Sequence, residues 1–380
     1  MTNADAGNTP AEDRAREVAA ACTLAAIEGL GNRTLARLRK TLGSARAILE
    51  ASSDILMQVP GVRPGPIRDL ARARAVHRPG AVLDELLRHG IWPTMAGMPG
   101  YPAGWQRLAD PPLVAFGRGQ PRPDGNPTIA IVGTRRATRH GCSRTRLLAS
   151  TLADLGITIV SGLAEGIDGA AHQGALDAHG HTVAVFGTPI DAPWPPTNRW
   201  LARCILEAGG MWLSERAPGR GMGQGGFLAR NRLVAAMADA VVVTEAPARS
   251  GALHTLGLAA ELGVPAFVLE GPADFPSYAG SRRAAEDGAP VIADARDLLE
   301  ALGWQVAAPG TPCTRVHAQA EASHRLLAAL GHDLLAPAAL AARLGWSEDR
   351  TNDVLASLLL VGTLRWEGRC VLAGTATTRR

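Results

Sequence analysis

Between Thr128 and Ile292, short apolar runs alternate with segments in which apolar residues recur every three to four positions. The runs are Thr128–Val132, Ile157–Val160, Thr182–Phe186, Met211–Leu213, Ala240–Thr244, Pro265–Leu269 and Pro290–Ile292. They are short, β-rich and bounded by turn residues, which predicts strands. The periodic segments between them predict helices, among them Ser143–Leu155, Gly169–Ala178 and Leu253–Leu262. Strands alternating with helices indicate an α/β fold with a doubly wound, mostly parallel sheet. In such a sheet the turns after the strands line one edge, so residues far apart in sequence meet there.

The flanks have a different pattern. Leu24, Ile27, Leu30, Leu35, Leu38, Leu42, Ile48 and Leu49 recur at helical spacing and predict a helical unit over residues 12–90. Its two glycine turns, Glu28-Gly29-Leu30-Gly31 and Val59-Pro60-Gly61-Val62, resemble helix-hairpin-helix (SAM-like) elements, whose backbone amides can touch a phosphate diester. A packed helical hairpin that needs glycine for a tight turn is the simpler reading and the one preferred here. The α/β region is placed at 91–305, with a Pro/Gly-rich connector from Trp92 to Asp124 at its start, and a linker at 306–322. Residues 323–375 read as three helices (His324–Leu330, Pro337–Leu344, Glu348–Val361) and a hairpin of Thr363–Trp366 with Cys370–Ala373, an order that suits a winged helix. The third helix carries Glu348, Asp349 and Asp353 against Arg350 alone, which suits packing or partner docking better than a DNA groove.

Composition narrows the field. The 380 residues are 46% hydrophobic and 19% charged, and no apolar run is long enough to span a bilayer, so no membrane partner is expected. Met1–Asp13 lacks the basic and apolar regions of a secretory signal. Cys22, Cys142, Cys204, Cys313 and Cys370 are scattered and never form C-x-x-C, which argues against a zinc site or a disulfide framework and fits a reducing cytoplasm. The net charge of +4 is compatible with a polyanionic partner. Lys40 is the only lysine, so single arginines mean little here and clusters carry the weight.

The clusters fall at strand ends. Gly133-Thr134-Arg135-Arg136 follows the first run and opens a segment with Arg139, His140, Arg144 and Arg146 before any acidic residue. A close backbone turn beside several guanidinium groups suits phosphate, which Arg135 could bind through two parallel hydrogen bonds. A solvated helix face explains Arg144 and Arg146 but not the strand-end pair. Ser161-Gly162-Leu163-Ala164-Glu165-Gly166-Ile167-Asp168 follows the second run. Its glycines permit close backbone approach, and Asp168 suits a helix N-cap. Asp168 and His172 lie one helical turn apart, the spacing of an acid–base pair, although a cap and a loop-shaping histidine are preferred. Arg230-Asn231-Arg232 is placed in a glycine-rich stretch, Gly219 to Arg232, ahead of a helix, with Phe227 nearby to stack a base. Ser250-Gly251 repeats the strand–loop–helix pattern, and Glu215 and Glu245 both end strands, as a carboxylate pair or as caps of loop amides. No G-x-G-x-x-G or Walker-type loop follows the first strand, so neither a dinucleotide cofactor nor ATP hydrolysis is expected.

Tyr101-Pro102, Val132-Gly133-Thr134-Arg135, Ser161 through Asp168, Ala171-His172, Arg230-Asn231-Arg232 and Ser250-Gly251 together resemble the DNA-processing protein A family (DprA, also called Smf), in order and spacing from about Trp92 to Ala301. The resemblance implies a Rossmann-like domain that binds single-stranded DNA without cutting it, in a dimer that loads a RecA-type recombinase during uptake of transforming DNA. It also implies that Gly133, Arg135, Ser161, Gly162, Gly166, Arg230, Asn231, Arg232, Ser250 and Gly251 line the strand-binding pocket; the motif reading above adds Thr134, Arg136 and Phe227 to the expected site. The chain departs from the family pattern in its outer loops. It has Gly187-Thr188-Pro189-Ile190-Asp191 with Trp194-Pro195 where Gly-x-Gly-(Leu/Ile)-Asp with Tyr-Pro is usual, Phe227-Leu228 for Phe-Pro, and His254 and Gly280-Ser281-Arg282 in later motifs. Two other readings compete. One is a nucleotide N-glycosidase resembling the lysine-decarboxylase-like phosphoribohydrolases, whose Pro-Gly-Gly-x-Gly-Thr-x-x-Glu loop has no properly spaced counterpart at Ser250–Thr255 and Glu261. The other is an adaptor with a vestigial central pocket.

Overall fold

The computed structural model describes residues 10–121, 125–221 and 226–304, then 326, 329–330, 335–348, 350–352, 354–355, 364–367 and 370–373. The expected linker at 306–322, together with Asp349 and Asp353, lies outside the described residues. The chain divides into two units, Gly100–Arg315 and Met1–Pro99 with Val316–Arg380. Within the helical unit, the strand Ile91–Thr94 (β1) packs on helix Pro79–Arg88.

In the helical unit, α1 (Pro10–Ala25), α2 (Asn32–Leu42), α3 (Ala45–Glu50), α4 (Ser53–Met57), α5 (Pro64–Val76) and α6 (Pro79–Arg88) bury Leu24, Leu30, Leu35, Leu38, Ile48, Leu56 and Leu70. The hydroxyls of Ser44 and Ser52 cap α3 and α4, and proline opens α5 and α6, where its missing N–H costs nothing. The two glycine turns pack closely. A Cβ on Gly29 would fall 2.9 Å from Cγ of Pro66, and Arg37 lies over Gly61, donating to the Pro60 carbonyl at 3.1 Å. Among the described C-terminal residues, Leu326, Leu330, Leu340, Val354 and Leu355 form a small core. Strands Leu364–Glu367 and Cys370–Ala373 pair antiparallel there, and helix Pro337–Leu344 coincides with the expected one.

In the α/β unit, eight strands pair in the order β2-β6-β5-β4-β3-β7-β8-β9. They are β2 (Ala115–Gly119), β3 (Thr128–Val132), β4 (Thr158–Ser161), β5 (Thr182–Phe186), β6 (Met211–Ser214), β7 (Ala240–Val243), β8 (Ala266–Leu269) and β9 (Val291–Ile292). All neighbours are parallel except β2 and β6. β3, β4, β5 and β7 are buried along their whole length, which is why they read as unbroken apolar runs. Ile129, Ile131, Ile159 and Val242 pack with Leu148 and Leu152 of α7 (Arg139–Asp154), Ala171 of α8 (Ile167–Asp177) and Leu298. Each fully buried Leu or Ile contributes about 1.5–3 kcal/mol relative to exposure. Helix α10 (Gly226–Met237) stays out of that cluster and packs across β3, β4 and β5 on the other face.

β3 is the point where strand order reverses: β4, β5 and β6 extend from one side of it, β7, β8 and β9 from the other. Open parallel sheets bind ligands outside the carboxyl ends of their strands at such a point.

Candidate functional site

The turn after β3 is held from both sides. A Cβ on Gly133 would fall 2.5 Å from Cγ1 of Ile167 and 2.8 Å from the Glu245 carbonyl, so the glycine makes room for the protein itself. Thr134 is buried; its N–H donates to the Glu245 carbonyl at 2.7 Å, and its own carbonyl accepts from Ile167 N at 3.2 Å. Its hydroxyl accepts from Arg136 N at 3.2 Å. Arg135 and Arg136 are therefore the first side chains of the turn to reach solvent. The Arg135 guanidinium carbon lies 5.4 Å from the ring centroid of Phe227, in the first turn of α10, a cation–π contact. The Phe227 ring lies 6.5 Å from that of Trp194, with the planes inclined at 40°. Loops after β3 and β5 and the start of α10 thus build one cluster of guanidinium and aromatic groups, with Arg135 and Trp194 exposed and Phe227 half-buried between them. Farther along, Arg144 donates to the Ala293 carbonyl at 2.5 Å and Arg146 pairs with Asp177, so these two arginines serve the fold.

The turn after β4 converges on the same place but faces inward. The Ser161 hydroxyl donates to the Ile131 carbonyl at 2.6 Å and is fully buried. Asp168 lies in the first turn of α8, and its carboxylate accepts from Gly162 N at 3.1 Å and Ala164 N at 3.3 Å. Behind it, Arg230 is 5% exposed, donates to the Val185 carbonyl at 2.8 Å and stands 4.0 Å from the Asp168 carboxylate. Burial pushes the Asp168 carboxyl up, against the pull of Arg230 and the two amides. A Cβ on Gly162 would fall 1.4 Å from Nη1 of Arg230. Gly166 has φ +76°, and a Cβ there would meet the Thr134 carbonyl at 2.4 Å. Buried Leu163 holds φ +61°, a rare conformation for a bulky side chain, and its carbonyl accepts from Asn198 Nδ2 at 2.9 Å.

His172 is fully buried, with Nδ1 2.8 Å from the Thr182 hydroxyl. That hydroxyl spends its proton on the Ile159 carbonyl at 2.8 Å, so His172 Nδ1 must carry the hydrogen. Burial, and secondarily Arg230, lower its pKa to about 3, so it is neutral at physiological pH. The acid–base spacing seen in the sequence resolves into a structural carboxylate and a core histidine; Asp168 is not the N-cap expected, since Gly166 holds that position without a side-chain cap and Asp168, inside α8, binds the preceding loop amides.

At the reversal point between β3 and β7 the Glu245 carboxylate accepts from Thr138 N at 3.1 and 3.0 Å and from the Thr138 hydroxyl at 2.9 Å. A Cβ on Gly141 would fall 1.8 Å from Oε2 of Glu245. The start of α7, where a parallel sheet ordinarily offers amides to a phosphate, is occupied by the protein's own carboxylate. Glu215 is engaged separately. Its carboxylate accepts from Arg232 Nη2 at 2.5 Å, and Asp110 lies 3.6 Å from Nε of the same arginine. Burial raises the Glu215 pKa, opposed by Arg232. Glu215 and Glu245 therefore cap and pair, each in its own environment.

Arg230-Asn231-Arg232 sits elsewhere than its glycine-rich sequence context predicts. The triplet lies inside α10 and not in a loop before a helix, and both arginines are committed to internal partners. Asn231 Nδ2 donates to the Gly251 carbonyl at 3.3 Å, tying α10 to the start of α11 (Gly251–Glu261). Ser250 caps α11 through Ala252 N at 3.2 Å, while Gly251 is exposed. Gly133, Thr134, Ser161, Gly162, Gly166, Arg230 and Arg232 thus shape the edge from within; Arg135, Arg136 and Phe227 present it. Trp194 joins the presented set without having been singled out as a site residue. Its signal in the sequence was its place in a loop after a strand, where the resembling family carries tyrosine.

Comparison with known proteins agrees with this architecture. Residues 93–303 match the family model for DNA recombination-mediator protein A. Protein Smf of Synechocystis sp. is 36% identical over 281 residues, covering 73% of this chain and 70% of that protein. A protein of Mycobacterium tuberculosis described as a putative DNA processing protein DprA is 37% identical over 243 residues, 60% of this chain and 62% of its own length. The crystal structure of DNA processing protein A from Streptococcus pneumoniae superposes with a TM-score of 0.61 at 26% identity, covering 77% of this chain and 98% of that one. With the family model spanning more than half its length and its buried turns formed by the family's motifs, the chain belongs to the DNA recombination-mediator protein A (DprA/Smf) family.

Proposed function

We propose that this protein binds single-stranded DNA at the carboxyl edge of its parallel sheet, without cutting it. Arg135 and Arg136 neutralise phosphates, Phe227 takes a base, and the glycine turns with Thr134, Ser161, Asn231, Ser250 and the buried Arg230 and Arg232 hold that surface in shape. The observation that carries this reading is the exposed guanidinium of Arg135 lying on the ring of Phe227, a charge for the backbone beside a π-face for a base. Membership of a DNA-processing family supports the choice of DNA. Family membership is also the ground for the wider role: a cytoplasmic dimer that protects incoming DNA and loads a RecA-type recombinase.

A nucleotide-hydrolysing reading draws no support from the edge. Asp168, His172, Glu215 and Glu245 each satisfy an internal partner, and the α7 N-terminus carries Glu245 where a nucleotide phosphate would sit. A gel-shift titration of single- and double-stranded oligonucleotides across salt concentrations tests the proposal. Preference for the single strand is expected, with log Kd rising linearly in log salt at about 0.7 per phosphate contacted. Equal affinity for duplex, or release of free base from nucleoside monophosphates, would count against it.

A further inference from the structure

We infer that Trp194 is a second base-stacking residue, extending the Arg135–Phe227 surface so that a further base of a bound single strand is held; this rests on the reading above. Among the described residues, Trp194 is one of the exposed large apolar side chains, 38% accessible, and it adjoins Phe227 at 6.5 Å. Two neighbouring rings beside an exposed guanidinium give the combination that holds unpaired nucleic acid: π-faces for bases and positive charge for the backbone.

The loop that carries Trp194 is built to hold still. Upstream, the Thr188 hydroxyl donates to the Ala192 carbonyl at 2.6 Å, Ser214 Oγ donates to the Thr188 carbonyl at 2.7 Å, and Asp191 accepts from Gly219 N at 2.9 Å. Downstream, Thr197 donates to Glu165 at 2.6 Å, and Asn198 Nδ2 donates to the carbonyls of Leu163 and Ala164 at 2.9 and 3.0 Å. Five of these six hydrogen bonds anchor the loop to the end of β6 and to the turns after β4 and β6, and the sixth braces it internally, while the indole between the anchors faces solvent. Exposing an apolar ring on a pinned loop gains nothing for folding; it does lower the ordering cost of binding a flat partner.

The test uses the full chain and two fluorescently labelled probes of equal length, oligothymidylate and an abasic strand with the same phosphates. For the wild type, oligothymidylate should bind more tightly. Trp194→Ala should weaken oligothymidylate binding roughly 5- to 100-fold, as expected for loss of one stacked base, and leave abasic binding within about twofold. Trp194→Phe, which keeps a ring, should recover most of the affinity. An equal loss on both probes, or no loss on either, overturns the inference while leaving strand binding intact. A wild-type chain that binds neither probe overturns the underlying reading as well. An unchanged thermal melt of Trp194→Ala is expected, since the side chain is exposed.

Discussion

On its two flanks β3 presents loops of similar composition, glycine-rich and ending in helix starts, yet the two sides do different things. Toward β7, the crevice at the strand reversal is shut: Glu245 bonds to Thr138 and its carbonyl fastens Thr134. Toward β4 and β5, the inner layer is equally closed, by Arg230 against Gly162 and Val185, but an outer layer of Arg135, Phe227 and Trp194 stands open above it. A glycine at a strand end therefore does not by itself mark a ligand cradle. At Gly133, Gly141 and Gly162 the atom that takes the vacated space belongs to the protein. Ligand-facing chemistry is carried by the side chains that this packing forces outward.

The inner layer can be broken most severely at Arg230. Arg230→Ala removes the cation between Asp168 and the β5 carbonyl and leaves a buried carboxylate without its counter-charge. Such a change costs about 3–5 kcal/mol, read as a lowered urea midpoint for the α/β unit. Gly162→Ala should act through the same guanidinium, and a double variant should lose less than the sum of the two. Strict additivity would mean that the close approach is not what makes Gly162 necessary.

The next largest effect is on pH dependence. His172 is protonated near pH 6.5 when unfolded and near 3 when folded, so it favours folding fully above 6.5 and loses that contribution as pH falls toward 3. Between pH 6.5 and 5 the loss is about 2 kcal/mol. Asp168 and Glu215, whose carboxyls burial raises, act in the opposite sense as they protonate. Comparison with His172→Gln isolates the histidine: the variant is less stable at pH 7.5, but its melting temperature should fall less steeply on acidification. Parallel curves would contradict the buried neutral assignment.

At the closed crevice, Glu245→Gln exchanges a carboxylate that accepts from both groups of Thr138 for an amide with one acceptor, a loss of about 1–2 kcal/mol in stability. Oligonucleotide affinity should stay within twofold of wild type. A larger change in binding would place the β7 side in the strand's path and erase the distinction between the two flanks.

The architecture was legible because β3, β4, β5 and β7 are buried on both faces and must be apolar throughout. β2 was not, since Ala-Phe-Gly-Arg-Gly has a single large apolar residue and owes its place to antiparallel pairing with β6. Its sequence reads as part of the Pro/Gly-rich connector. The edge location of the site followed from the order of elements, but the inward or outward sense of each arginine did not. Charge is written in the sequence and its partner is not: Arg230 finds Asp168, and Arg232 finds Glu215 and Asp110, only once the sheet has assembled. The start of α10 is hidden for a related reason, because glycines between 219 and 226 obscure where helical spacing begins.

The smallest expected change in free energy is also the one that bears most directly on the open flank. The Arg135 guanidinium lies on the ring of Phe227, and its turn is fastened by the backbone of Thr134 and the close packing at Gly133, not by its own side chain. Arg135→Ala should therefore leave the melting temperature within about 1 °C, in keeping with a surface change of under 0.5 kcal/mol. Binding of a single-stranded oligonucleotide at moderate salt should weaken on the order of tenfold, and the salt slope should shrink by about 0.7, the share of one phosphate. Arg146→Ala, which removes a surface partner of Asp177, is the matched control and should lower stability slightly without touching the salt slope. If the two variants bind alike, the guanidinium on Phe227 is no nearer the DNA than an arginine on the back of α7, and the open flank lies elsewhere.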